Sequence, residues 1–208
     1  MDKQSHWESI YRRKQPHELS WTQDYPRASL DFIHQARLGP EAHIIDIGGG
    51  DSRLVDCLIQ EGFRNVTVLD ISAAALARAR ARLGEGATLV KWVVSDILEF
   101  QPEEVYDFWH DRATFHFLLT EAEVRSYVNR ARAATRDGGA MAIGTFSKEG
   151  PQKCSGLEVR QYSEEELTEC LNGGFQKIKC ITEDHRTPFG TTQNFLFCSF
   201  RRRGLAAA

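Results

Sequence analysis

The sequence predicts an α/β fold: a three-layer sandwich on a seven-stranded, mostly parallel sheet with one antiparallel strand near the C-terminus. Three observations carry this. Apolar runs alternate with helix-like stretches from His43 to Phe146, the pattern of parallel strands joined by right-handed crossovers. Within that stretch, "HIIDIGGGDSRLVDCLIQEGFRNVTVLD" reads as strand, glycine turn, helix and strand. Two further strand-like runs, "FQKIKCITED" and "NFLFCSFRR", follow each other as a hairpin, so one of them enters antiparallel. At 208 residues the chain fits a single domain, 1–208, with a full core.

Taken in order, residues 1–40 are polar and aromatic and form a cap that holds Trp7, Tyr11, Trp21 and Tyr25 ahead of any strand. Ser5 to Lys14 is expected as a short helix and Pro26 to Arg37 as a longer one, with Pro26 in the first turn. "HIIDIG" is a buried strand, and Asp51 to Glu61 a helix stopped by Gly62. "NVTVLD" is the second strand. Ser72 caps an alanine-rich helix from Ala73 to Leu83 that ends at Gly84. "TLVKWVVSD" and "VYDFWHD" are strands three and four. Glu121 to Thr135 is a helix, "DGG" turns into strand five, "AMAIGTF", and Ser163 caps a helix through Leu171.

Composition narrows the function. A net charge of -3 leaves no basic footprint, so nucleic acid is not expected as a partner. "ARARARL" (Ala77 to Leu83) and "RRR" (Arg201 to Arg203) read as surface. The five cysteines form no CxxC pair and their number is odd, which points to neither a metal site nor a disulfide framework. A reducing, cytoplasmic setting fits best, and no apolar run is long enough to span a bilayer. The closing "LAAA" has no assignable role.

The glycine turn holds the chemistry. In such a sheet, ligands sit beyond the carboxyl ends of the strands where strand order reverses. Asp46 and Gly48, Gly49 and Gly50 end the first strand, and Asp70 ends the second, about 20 residues on, where an acid grips ribose hydroxyls. A dinucleotide fits poorly. The third glycine of G-x-G-x-x-G is Arg53 here, and Asp51 at the expected helix start repels a pyrophosphate. No G-x-x-x-x-G-K-[ST] loop exists for a nucleoside triphosphate. The turn suits a nucleoside with positive charge, and S-adenosylmethionine is such a molecule.

On these residues the sequence resembles the class I S-adenosylmethionine-dependent methyltransferases, from Ile44 through Phe200. The resemblance implies a Rossmann-like transferase in which residues 41–146 bind cofactor and 147–204 form the substrate side. It implies that Gly48 and Gly50 let the backbone approach the cofactor and that Asp46 lies near its ammonium end. Asp70 would take both ribose hydroxyls with Ile71 against the adenine. "SDI" would place Asp96 on the adenine amine and Ile97 beneath it. The "WHDRATFHF" segment, with His110 and Asp111, would run under the methionine moiety. "HWESIY" resembles an aromatic motif of some subfamilies, certain protein-lysine methyltransferases included, in which Trp7 and Tyr11 fold over the cofactor with Trp21 nearby. The third glycine of acid-x-G-x-G-x-G is replaced by Ser52, which tolerates binding but shifts the tail.

Methyl transfer from a sulfonium needs alignment and a dry pocket, plus a proton acceptor if the nucleophile is neutral. His116 is the candidate base; a packing or cofactor-contacting role is its alternative. Arg112 pairs locally with Asp111 or orients an acidic substrate. The loop Thr145 to Ser163 reads as a substrate lid, and its Cys154 as a soft contact or an ordinary loop thiol. His185, in the connection Glu183 to Phe195, is a candidate to reach the pocket, with a solvated hairpin as the alternative. Trp7, Trp21, Tyr25, Phe115 and Phe146 are candidates for an aromatic cage around the sulfonium or an ammonium acceptor, with core packing as the alternative for the two phenylalanines. No Asn-Pro-Pro-Tyr-like run, Pro-Cys nucleophile or metal-binding acid pattern follows strand four. The expected acceptor is a small molecule with a nucleophilic N, O or S; a protein lysine is the alternative, and a non-catalytic cofactor-binding module or a nicotinamide oxidoreductase the readings from other classes.

Overall fold

The computed structural model describes residues 2–204, so Met1 and the closing "LAAA" lie outside the described residues. Helix α1 spans Lys3–Arg13 and α2 Arg27–Gln35. Then come β1 (His43–Ile47), α3 (Leu54–Gln60), β2 (Asn65–Asp70), α4 (Ala73–Leu83), β3 (Val90–Val94), β4 (Tyr106–Arg112), α5 (Glu121–Ala134) and β5 (Thr135–Phe146). A small hairpin, β6 (Lys153–Cys154) and β7 (Leu157–Glu158), precedes α6 (Glu164–Leu171), β8 (Phe175–Arg186) and β9 (Thr192–Arg202).

The seven long strands lie in the order β3-β2-β1-β4-β5-β9-β8. All neighbours from β3 to β5 are parallel, and β9 runs antiparallel to both β5 and β8. The expected sheet, with its one reversed strand, is present. Side chains alternate between its faces. Ile45, Ile47 and Trp109 pack with Val124, Tyr127 and Val128 of α5 and with Leu167 and Leu171 of α6. Ile44, Val66 and Phe108 pack the other way, against Leu30 and Ile33 of α2, Leu54 and Leu58 of α3, and Leu76 of α4. Strand order reverses between β1 and β4, and the functional loops gather there.

Local signals set the helix starts. Ser72, Thr120 and Ser163 each accept from the amide three residues on, and the latter two complete capping boxes with Glu123 and Glu166. Four expectations need correction. Helix α3 starts at Leu54 rather than Asp51, because Gly50 turns left-handed at φ 52° and Ser52 folds back to accept from the Leu54 amide at 3.1 Å. Strand β3 is shorter, since residues Gly84–Leu89 wind into a 3-10 helix. The last hairpin closes tightly at Thr187, whose amide donates to the Thr191 carbonyl, so His185 lies within β8 and not in a loop. Finally, register sets Cys180 opposite Cys198, and the two are joined by a disulfide. Cysteine number and spacing carry no information about cross-strand register, which is why that pair was not foreseen. Among the described residues, no helix is long and apolar enough to cross a membrane.

Candidate cofactor and acceptor site

A cleft opens at the carboxyl edge of β1 to β4, where ligands of such sheets sit. Its floor is the set of strand ends: Gly48 after β1, Asp70 and Ile71 after β2, Ser95, Asp96 and Ile97 after β3, and Arg112, Ala113 and Thr114 after β4. Trp7 and Tyr11 of α1, with Trp21 and Phe117, make an aromatic wall, and Cys154 closes the far corner.

The glycine loop is built for close approach. Gly48 and Gly50 have φ of 63° and 52°, a conformation L side chains rarely adopt. A Cβ on Gly48 would collide with the Thr114 side chain, and one on Gly50 would come within 2.6 Å of the Tyr11 hydroxyl and 3.3 Å of Asp70. At Gly49 it would strike Asp46 and Val68, both at 2.6 Å, while the Gly49 amide donates to the Leu69 carbonyl. Ser52 stands outside the cleft, at the approach to α3. The sequence reading took the arginines of α4 as a solvated face, and only Arg80 is. Arg82 donates to the Asp51 and Ser52 carbonyls, each at 2.8 Å, and grips Asp56 with two bonds. Arg78 approaches the Asp51 carboxylate at 3.7 Å. Asp51 thus lies in the turn before α3 with a cation beside it, not at a helix N-terminus.

Asp70 is the strongest electrostatic feature. Burial, then the nearby Asp46 and Asp51, push its carboxyl up to about 7, although the Ser72 amide donates to it at 2.8 Å. A buried carboxylate in that setting gains from hydroxyl donors or a nearby cation. Asp96 is half-buried, and one oxygen accepts from the Leu98 amide at 2.8 Å. Behind the loop, His110 connects β4 to β1: Nδ1 donates to Asp46 at 2.7 Å, and Nε2 shares a hydrogen bond of 2.8 Å with the Ser29 hydroxyl. Asp46 and His110 are buried beneath the cleft rather than lining it. Asp111 is buried too and pushed up to about 6. It accepts from the Thr114 and Phe115 amides and the Tyr127 hydroxyl, so it shapes the loop after β4.

Two anchors that sequence reading missed hold α1 at the site. Glu8 accepts from the Ser72 hydroxyl at 2.8 Å and the Ala74 amide at 3.1 Å, where a carboxylate complements the N-terminal end of α4. Lys3 donates to the Phe117 carbonyl at 3.3 Å and to Glu123 at 3.0 Å. Between them Trp7 meets Trp21 and Phe117 edge-on, with ring centres 5.6 and 5.3 Å apart. Spacing alone gives no sign of either anchor, because both partners are distant in sequence.

On the other side several expectations fail. His116 does not reach the cleft; it is fully buried, with ring centres 4.6 Å from both Phe117 and Phe146. Burial, then the Arg112 charge, push its imidazole down to about 3, and Nδ1 accepts from the Phe146 amide at 3.4 Å. Phe115 and Phe146 are core residues, fully buried among Tyr127 and Tyr162 in the one case and Phe195 and Phe197 in the other. Tyr25 is 55% exposed and faces a separate surface hollow with Arg53 and Asp56. His185 is buried against the Ser20 carbonyl at 2.6 Å. Arg112 does not pair with Asp111: its Nη1 donates to the Trp21 carbonyl at 2.9 Å, and its guanidinium lies 5.0 Å from the Phe195 ring centre. Cys154 is buried in the cleft corner, and its thiol is pushed up to about 12 by burial.

The profile of the family described as "Methyltransferase domain" matches residues 44–139, from β1 to the start of β5. That match supports the reading of a class I S-adenosylmethionine-dependent methyltransferase. Nodulation protein S of Rhizobium tropici is 29% identical over 51% of this chain and 44% of its own length. EEF1A lysine methyltransferase 2 of Danio rerio is 24% identical over 91% of this chain and 82% of its own. The crystal structure of Burkholderia thailandensis 1,6-didemethyltoxoflavin-N1-methyltransferase, with 1,6-didemethyltoxoflavin and S-adenosylhomocysteine bound, superimposes with a TM-score of 0.71 at 23% identity, over 97% of this chain and 87% of that one. At such identity it shares the fold. The chain spans about half the length of the first curated relatives it matches. Methyltransferases of this class use S-adenosylmethionine, and the residues here fit it: a glycine loop that a Cβ would block, a buried acid facing it, and aromatic faces for a sulfonium.

Proposed function

We propose that this chain transfers the methyl group of S-adenosylmethionine to a small-molecule acceptor with a nucleophilic N, O or S. Asp70 would hold the ribose hydroxyls, Ile71 and Ile97 the adenine faces, and Asp96 the adenine amine. Gly48, Gly49 and Gly50 give the backbone access. Asp46, oriented by His110, biases the tail end toward positive charge. Trp7, Tyr11 and Trp21 exclude water. When bound, the donor supplies an electrophilic methyl group on a good leaving group, so alignment and desolvation are the protein's main contributions. The acceptor side of the cleft presents Arg112 and Cys154, a cation and a neutral thiol, and neither is a base. The reading is therefore of an acceptor that arrives nucleophilic, held in line by the aromatic wall.

The observation that carries the small-molecule reading is the lining: Trp7 and Tyr11 of α1, with Trp21 and Phe117, wall the cleft, and the buried Cys154 lines it with them. The structural relative with a toxoflavin precursor bound supports it. A protein-lysine acceptor is the second reading, favoured by "HWESIY" and by the lysine methyltransferase relative. The test is radiolabelled methyl donor with cell extract split into small-molecule and protein fractions. Label in the small-molecule fraction is expected. Label confined to protein overturns this choice, and S-adenosylhomocysteine binding without any transfer makes the chain a non-catalytic module.

A further inference from the structure

Arg112 stands apart among the charged side chains at the cleft. Its Nη1 is committed to the Trp21 carbonyl, while Nε and Nη2 are buried and make no hydrogen bond. Those two nitrogens form one edge of the guanidinium, the edge that receives both oxygens of a carboxylate in parallel. No carboxylate of the described residues lies within ion-pair distance of it: Asp46 is occupied by His110, Asp111 by Tyr127 and two amides, and Glu183 acts only at longer range. Burial disfavours the charge enough to bring the group down to about 10, so it remains a cation at neutral pH. Phe195 under the guanidinium and the Trp21 carbonyl at its far end hold the plane in place.

We propose that the Nε–Nη2 edge of Arg112 receives a carboxylate of the methyl acceptor, so that the substrate class is small organic acids. The proposal rests on the methyltransferase reading above. Two features favour the acceptor over the donor's own carboxylate. Arg112 ends β4 beside Phe195 of β9, two strands away from Asp70 at the end of β2, and lies within electrostatic reach of Glu183, Asp46 and Cys154. A sulfonium brought up to an unpaired guanidinium is also repelled unless an anion lies with it. An acid in that place neutralises the arginine and orients the acceptor in one step. Buried donors without partners are costly, so the site discriminates against neutral analogues as well as favouring acids.

The test uses the full chain saturated with S-adenosylhomocysteine, titrated with formate, acetate and benzoate and with the matching amides, and read by tryptophan fluorescence, Trp21 being the neighbour of Arg112. At least one acid is expected to bind, its amide at least ~tenfold more weakly, as for a charge-assisted pair. Arg112→Met should abolish that preference, and Arg112→Lys should keep a reduced one, because an ammonium cannot fork. Acids and amides binding alike, no acid binding, or the preference persisting in Arg112→Met would each overturn the proposal. A second titration separates the two carboxylate sources. S-adenosylhomocysteine and 5′-methylthioadenosine, which lacks the amino-acid tail, should each bind Arg112→Met as they bind the wild type. Selective loss of S-adenosylhomocysteine would assign the edge to the donor and sink the acceptor claim. Failure of both nucleosides on the wild type would instead remove the methyltransferase reading itself. Should Arg112→Met not fold, the wild-type acid–amide comparison and Arg112→Lys decide the matter.

Discussion

The Ser72 hydroxyl donates to the Glu8 carboxylate at 2.8 Å while its oxygen accepts from the Ala75 amide at 3.2 Å. One side chain thus caps α4 and tethers α1 to it. Glu8→Ala is expected to cost about 1 kcal/mol of stability, the usual worth of such a charged contact at a helix N-terminus, and to weaken S-adenosylhomocysteine binding because Trp7 and Tyr11 lose their support. Thermal melts and calorimetry check both effects. Unchanged affinity would detach α1 from the site.

Asp70 makes the stability of the fold depend on pH. Its folded carboxyl sits near 7 against an ordinary value of 3.8, so between about pH 4 and 7 the folded state binds more protons than the unfolded state. Stability of the ligand-free protein contributed by this group therefore falls as pH rises through that window and levels off above it. Asp70→Asn should show a shallower decline in denaturant titrations from pH 4.5 to 7.5, while Asp111, raised to about 6, contributes the same slope to both proteins. Parallel curves would refute the assignment. Asp70→Ala should also weaken S-adenosylhomocysteine by at least ~tenfold, the loss of two hydroxyl partners.

At Gly50 two costs can be separated. Gly50→Ala meets the Tyr11 hydroxyl at 2.6 Å and must hold φ near 52°, so a loss of ~1–2 kcal/mol from conformation alone is expected, with steric strain added. Combining it with Tyr11→Phe should recover the steric part only. Strict additivity of the two single changes would show that the hydroxyl is not the obstacle.

His110→Leu leaves Asp46 buried without its ring partner. A loss of ~1–3 kcal/mol is expected, together with weaker cofactor binding, since Asp46 lies against the glycine loop. His110→Asn, which can donate to Asp46, should restore part of both. Equal melts for all three proteins would reduce His110 to packing.

The sheet, its reversed strand and the residues that line the cleft at the ends of β1 to β3 were legible because they rest on local signals: apolar runs, caps at Ser72 and Ser163, and acids at strand ends. Gly48, Asp70, Ile71, Asp96 and Ile97 all line the cleft. The acceptor side was not legible, because burial there depends on contacts between distant segments. His116 looks like a base in sequence, and only the packing of Phe117 and Phe146 around it makes it a neutral core residue. Lys3, Glu8 and Arg82 look like solvated charges until their partners, Glu123, Ser72 and the Asp51 carbonyl, are known.

Helix α1 is moored at its first residue, by Lys3 to the start of α5, and at its middle, by Glu8 to the start of α4. On the binding mode proposed above, spent donor would leave the aromatic wall only when such moorings slip, so the dwell time of the product would report their strength. The two differ in kind: the Lys3–Glu123 pair is partly exposed and softened by added salt, whereas the Glu8 contacts to a hydroxyl and an amide are not ion pairs. Ionic strength should therefore hasten product escape up to the limit set by Glu8, and no further.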